Sequence, residues 1–142
     1  MACGLARADE IRMARIVLDA GVVIGLYNDN DAHHNWAVNF MFQSAADQLH
    51  ISALNFADIA VFPVKNGVEE KFFAGIGGLA LKVDSVGETD TLDLTKLRVD
   101  TALRMTDVCA IQLATKLDGI LATTDKAVAK AAKSLGIEVF QP

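Results

Sequence analysis

Short apolar runs separated by polar turns recur along this chain. "RIVLDAGVVIGLY" (Arg15–Tyr27) begins with Ile16, Val17 and Leu18, is interrupted by Asp19, and resumes at Ala20. The branched run predicts a buried strand, and Gly21 to Tyr27 a short helix. "NDND" (Asn28–Asp31) is a turn, with Asp31 placed to cap the following element. Trp36, Val38, Phe40 and Phe42 then recur at roughly helical spacing as far as Ala46. Leu49–Ser52 predicts a second strand. Ser52 or Asn55 is a candidate cap for a helix carrying Phe56, Ile59, Ala60 and Val61, which Pro63 kinks or ends.

Past Gly67, "VEEKFFAGI" predicts a helix that stops at Gly77 and Gly78. Leu79–Val86 alternates as a strand does. Thr91 to about Leu103 is helical, Arg104, Met105 and Thr106 interrupt it, and a new helix runs from Asp107 to about Lys116 with Gly119 as its stop. "GILATTD" predicts a strand ending at Asp125, "KAVAKAAKSLG" an alanine-rich amphipathic helix ended by Gly136, and Ile137–Phe140 a last strand. Strands alternating with helices predict an α/β sandwich with a mostly parallel sheet. No repeat, linker or low-complexity segment interrupts it.

Composition narrows the function classes. The 142 residues suit one domain, and 52% hydrophobic with 22% charged residues is a globular balance. A formal net charge of −5 argues against a broadly basic nucleic-acid binder, while leaving room for a local basic patch or metal-assisted contact with phosphate. Cys3 and Cys109 form neither a zinc-like pair nor a disulfide framework, so a reducing, cytoplasmic setting is the default. Arg7, Asp9, Glu10 and Arg12 make the start too charged for the core of a signal peptide. Residues 1–13 read as an extension ahead of one domain spanning 14–142, with Met13 a candidate alternative start. No apolar run approaches the ~20 residues needed to span a bilayer, so no membrane association is expected.

Four aspartates share one oddity: Asp19, Asp58, Asp107 and Asp125 each lie within, or directly end, an apolar segment. In open α/β sheets the carboxyl ends of the strands form the ligand crevice, which Asp19 and Asp125 should therefore face. Asp58 and Asp107 lie near predicted helix starts, which face the same edge. Helix capping is an alternative account of Asp125, and of Asp107, where Thr106 competes for the position. Clustered carboxylates repel: two unit charges ~4 Å apart cost ~4 kcal/mol at an effective dielectric near 20. Such a cluster persists by taking up protons or by binding cations. Mg²⁺ prefers a few carboxylates plus waters, and Mn²⁺ accepts the same oxygen donors. Ions of this kind stabilise charge on a phosphodiester undergoing in-line attack, with no need for a serine or cysteine nucleophile.

The segments "IVLDAGVVIGLYNDNDAHHNWA", "SALNFADIAV", "MTDVCAIQLATKLDGILATTD" and "LGIEVF" resemble the PIN-domain nucleases, in particular the VapC-type toxins of bacterial toxin–antitoxin pairs. The likeness covers most of residues 14–140. It implies a three-layer α/β/α sandwich with a mostly parallel sheet. It also implies a Mg²⁺- or Mn²⁺-dependent endoribonuclease leaving a 5′-phosphate and a 3′-hydroxyl. The first family acid falls on Asp19, the third on Asp107 and the fourth on Asp125, which makes these three the expected metal ligands. The second is usually a glutamate; Asp58 stands there, with its carboxylate about one C–C bond closer to the backbone. The resemblance further implies an RNA substrate, a cognate antitoxin and a homodimer. Asp58 keeps an alternative in view: a catalytically weak PIN-like module that binds RNA or a partner protein.

Other residues modify this picture less. Arg104, just before Asp107, is a candidate for substrate phosphate or partner contact, and Thr123 and Thr124 for hydroxyl contacts near the metal or phosphate, with strand-end hydrogen bonding the alternative. Adjacent His33 and His34 cannot face one metal from a helix, which favours a surface or capping role. "GIGG" (Gly75–Gly78) lacks the Lys-Ser/Thr of a P-loop. Lys65, Lys71 and Lys82 are scattered and read as solvated. Gly21 excludes the second aspartate of a haloacid-type phosphatase, and "DAGVV" lacks the serines of an integrin-like metal site.

Overall fold

Ile16, Val17 and Leu18 are fully buried because the strand they form is the middle of a five-stranded sheet. The computed structural model describes residues 14–142; the expected extension over 1–13 and Cys3 lie outside the described residues. Strand β1 (Arg15–Leu18) leads into α1 (Ala20–Tyr27) and α2 (His34–Gln43). Strand β2 (Gln48–Ser52) leads into α3 (Ala53–Lys65) and α4 (Glu69–Gly77). Strand β3 (Lys82–Asp84) is followed by a 3-10 turn (Glu88–Asp90), α5 (Thr91–Thr101) and α6 (Met105–Leu117). Strand β4 (Ile120–Ala122), α7 (Lys126–Ser134) and β5 (Val139–Phe140) complete the chain.

The strand order is β3-β2-β1-β4-β5 and every pairing is parallel. The chain steps outward from β1 to β3, then returns to place β4 against the free side of β1. The strand order therefore reverses between β1 and β4, and open α/β sheets bind ligands outside the carboxyl ends of strands at such a point.

Side-chain alternation makes three layers. Ile16 and Leu18 pack with Val22, Phe40, Ile59 and Ile76 of α1–α4 on one face. Val17 and Leu121 pack with Ala110, Ile111 and Leu113 of α6 and with Val128 and Ala132 of α7 on the other. Burying each large branched side chain contributes roughly 1.5–3 kcal/mol, so β1, apolar towards both layers, anchors the start of Asp19. Among the described residues no helix is long and apolar enough to cross a membrane.

Several boundaries differ from the sequence pattern, each for a local reason. The strand expected over 79–86 is reduced to Lys82–Asp84, because β3 is an edge strand paired on one side only. His50 of β2 ties it in through Nδ1 to Asp84 Oδ2 at 2.7 Å. The helix at Trp36 ends at Gln43 rather than Ala46, with Ser44 capping. Helix α3 continues past Pro63 to Lys65, and the buried proline's carbonyl accepts the Val68 N–H at 2.9 Å. The break expected at Arg104–Thr106 falls earlier, at Ala102, whose φ is 58°, and α6 is already helical at Met105. Asp118 rather than Gly119 takes the left-handed turn, with φ 51°. Gly119 is required by close approach: a Cβ there would lie 2.7 Å from the Arg15 carbonyl oxygen.

Candidate active site

Asp19 follows β1, caps α1 and accepts the Ala20 N–H at Oδ1, 2.9 Å away. Asp125 sits beyond β4 and caps α7, with Oδ1 accepting from the Ala127 and Val128 N–H groups at 2.8 and 3.2 Å. Asp58 lies in the second turn of α3, and Asp107 in the first turn of α6. All four line one cavity of about 280 Å³ together with Gly21, Asn55, Arg104, Thr106 and Thr124. The cavity lies at the switch point because β1 and β4, neighbours in the sheet, deliver Asp19 and Asp125 to the same edge.

The carboxylates are not equivalent. Asp19 is 6% exposed, and burial raises its carboxyl above the ordinary pKa, with the charges of Asp107 and Asp125 adding to the rise. The hydroxyl of Thr123 and the Ala20 N–H oppose it. Asp107 is buried and spans an exposed guanidinium: Arg104 Nε lies 3.2 Å from Oδ2 and Nη2 lies 3.3 Å from Oδ1. This bond raises the Arg104 pKa further, with the charge of Asp107 assisting, so the guanidinium stays protonated. Asp58 is exposed and makes no side-chain hydrogen bond to a described residue.

Two sequence-derived candidates are redefined by their surroundings. Thr123, a candidate for metal or phosphate contact with strand-end hydrogen bonding as the alternative, is fully buried; its hydroxyl donates to Asp19 Oδ2 at 2.7 Å and accepts the Asp125 N–H at 3.1 Å. It therefore links the acids that follow β1 and β4. Thr124 lines the cavity, and Gly21 makes room for it: a Cβ at Gly21 would stand 2.4 Å from Thr124 Oγ1. Asn55, considered only as a cap in the sequence, is 1% exposed inside α3, where its Nδ2 donates to the Thr106 carbonyl at 3.0 Å and joins α3 to α6. The i, i+3 spacing of Asn55 and Asp58 was the available signal that they share a face. His33 and His34 divide their roles: His34 Nδ1 pairs with the Gly25 carbonyl at 2.8 Å, and the His33 N–H donates to Asp31. Asp31 thus ties the turn but does not cap α2.

A family model for the PIN domain matches residues 16–134. The chain belongs to the PIN domain family. The folds of solved structures agree. VapBC2 from Rickettsia felis, bound to a DNA fragment from its promoter, superposes with a TM-score of 0.69 at 13% identity, covering 89% of this chain and 98% of that one. FitAB bound to the IR36 DNA fragment gives 0.69 at 17% identity, with 89% and 94% covered. A toxin–antitoxin complex from Klebsiella pneumoniae gives 0.61 at 14% identity, with 78% and 86% covered. No curated protein matches the sequence.

PIN domains are generally nucleases, and they typically use divalent metals. The cavity of this PIN domain fits such an ion in kind. Its donors are carboxylate oxygens, the set hard divalent cations prefer, and Asn55 adds a buried Oδ1 with no hydrogen-bond partner. The arrangement is not a closed cage. Among the described residues, no group of three or more His, Cys, Asp or Glu is placed to hold a metal ion. Arg104 donates to both oxygens of Asp107, and the Ala20 N–H and the Thr123 hydroxyl donate to those of Asp19; each oxygen keeps a further lone pair for a cation.

Proposed function

We propose that this PIN domain is a metal-dependent endoribonuclease acting in the cytoplasm as the toxin of a VapBC-type pair. The observation that carries the proposal is the single cavity at the switch point, lined by Asp19, Asp58, Asp107 and Asp125 with one cation, Arg104, at its edge. Asp19, Asp107 and Asp125 would hold Mg²⁺ or Mn²⁺, which, when bound, stabilises charge on a phosphodiester and lowers the pKa of water. The remaining chemistry belongs to the chain. Asp58, exposed and without a side-chain bond to a described residue, accepts a proton from the water that attacks phosphorus as the P–O3′ bond breaks, and the departing 3′-oxygen takes a proton from solvent. Arg104 exchanges Asp107 for a phosphate oxygen, a planar donor fork that suits either partner. Thr124 donates its hydroxyl at the other side of the cavity. Thr123 and the Ala20 N–H fix the Asp19 carboxylate, so its geometry is set before substrate arrives.

Similarity to toxin–antitoxin structures supports an antitoxin partner, and exposed apolar side chains on α3 and α4 support a homodimer. A second reading, a catalytically weak binding module, draws on the short Asp58 side chain and on the Arg104 bond across Asp107. Calorimetry tests the metal step: Mn²⁺ should bind the wild type near neutral pH and lose that binding on Asp19→Asn. Absence of binding at millimolar Mn²⁺ would remove the nuclease reading. Asp58→Glu separates the two readings. In an active nuclease built around the shorter acid, the longer side chain lowers cleavage; an inactive wild type that gains cleavage from Asp58→Glu is the weak module.

A further inference from the structure

A second groove, of about 410 Å³, adjoins the acid cavity and shares Thr124 with it. Lys126, Lys130 and Lys133 line it, with His33 and Gln141. The lysines occupy positions i, i+4 and i+7 of α7; steps of 100° per residue place them within about 60° of arc on one face. Val128, Ala129 and Ala132 of the same helix are buried. All three lysines are exposed, and none forms an ion pair with a described residue.

Exposed lysines on a surface helix are ordinarily a solvated face. Two observations set these apart. They line a concavity, and it joins the acid cavity at a threonine common to both. The chain also carries a net charge of −5, and its acid cavity repels phosphate. A polyanion approaching that cavity needs a local positive track, and this stripe is one that leads to it. From Lys126 to Lys133 the helix advances about 10 Å, the axial length of roughly three nucleotides in a stacked strand at ~3.4 Å each.

We propose that this groove binds the phosphate backbone of the RNA strand flanking the scissile bond, with Lys126, Lys130 and Lys133 facing successive phosphates and Thr124 at the junction with the acid cavity. The inference rests on the nuclease reading and extends it from the site of cleavage to the path of the strand. It is tested by fluorescence anisotropy with a short labelled single-stranded RNA, in chelator so that the strand stays intact, over a series of salt concentrations. The triple variant Lys126→Gln, Lys130→Gln, Lys133→Gln should bind at least about ten-fold more weakly at low salt. Its plot of log affinity against log salt should flatten by roughly 2, since each phosphate contact on a single strand contributes ~0.7 to the slope. A charge-matched control, Lys65→Gln, Lys71→Gln, Lys96→Gln, should leave the slope as in the wild type. Equal losses in both triples, or an unchanged slope in the α7 triple, would overturn the groove. Duplex DNA bound as tightly, with the same dependence on the three lysines, would overturn its assignment to an RNA strand. Wild type that cleaves RNA beside an α7 triple of undiminished affinity leaves the nuclease reading standing without the groove. Wild type that neither binds nor cleaves RNA removes both.

Discussion

Asp107 is engaged at both carboxylate oxygens by one guanidinium, and that guanidinium belongs to an exposed side chain. The pair is exposed on the guanidinium side alone, so Arg104 can swing to another anion in solvent, while the buried Asp107 carboxylate depends on a cation partner. Arg104→Ala should therefore lower the metal-free melting temperature by leaving the buried Asp107 carboxylate without its cation, strengthen Mn²⁺ binding several-fold in calorimetry, and weaken RNA binding; weaker metal binding would place Arg104 outside this competition. Asp19 is buried as well. Its raised pKa means that the folded state takes up a proton more readily than the unfolded chain. In metal-free protein its ionisation thus opposes folding, and that penalty is relieved as pH falls from the raised folded value towards the ordinary ~3.9. Asp19→Asn keeps the shape and the acceptor for Ala20, so its metal-free melting temperature at neutral pH should match or exceed that of the wild type. A markedly lower one, with the fold disturbed, would show that the carboxylate is structural. The position of Asp19 was legible as a charge between two apolar runs. Its hydrogen bond to Thr123 was not, because residues 104 apart in sequence meet only through strand pairing.

At the level of elements, the sheet and helices were readable wherever burial sets a period. β1, α1, α4 and α7 follow their apolar patterns closely. The pattern failed where tertiary contact outweighs local preference. Gly119 reads as a helix stop, yet Asp118 makes the turn and Gly119 admits the Arg15 carbonyl. Gly119→Ala should accordingly cost about 1–3 kcal/mol by denaturant titration, whereas a neutral outcome would mean that the β1–β4 edge adjusts freely. The polar tie between α5 and α6 was also hidden. Asp90 accepts the Gly87 N–H at 2.9 Å, Gln112 Nε2 at 2.9 Å and Lys116 Nζ at 3.1 Å. These bonds, the backbone N–H foremost, lower its pKa. Its contribution is complete above the ordinary carboxylate pKa and disappears as pH falls through the lowered folded value. Asp90→Asn should then lower the melting temperature at neutral pH, with the difference from wild type shrinking towards acid. A difference independent of pH would assign the effect to packing rather than charge.

Across the whole molecule, the acid cavity, the lysine groove that meets it at Thr124 and an apolar flank are the notable surfaces. The flank includes Val61, Phe62, Val64 and Val68, with Phe62 72% exposed. Exposed apolar patches of this kind commonly mark contact surfaces. Light scattering should find a dimer that Val61→Asp with Val64→Asp dissociates; a monomer at high concentration would leave this flank for a partner alone. The family was legible because four aspartates sit at strand ends and near helix starts, where the sheet brings them together. The lysine groove was not, because His33, which shares its lining, is remote from α7 in sequence. The most direct measurement is cleavage of a defined RNA by purified protein, with Mn²⁺ or with chelator, resolved to the chemistry of the ends. A metal-dependent nuclease with Asp19 at its centre gives cuts carrying 5′-phosphate and 3′-hydroxyl ends, present with Mn²⁺, absent with chelator, and abolished by Asp19→Asn. Cleavage that persists in chelator or survives Asp19→Asn would contradict that reading, and so would intact RNA under every condition.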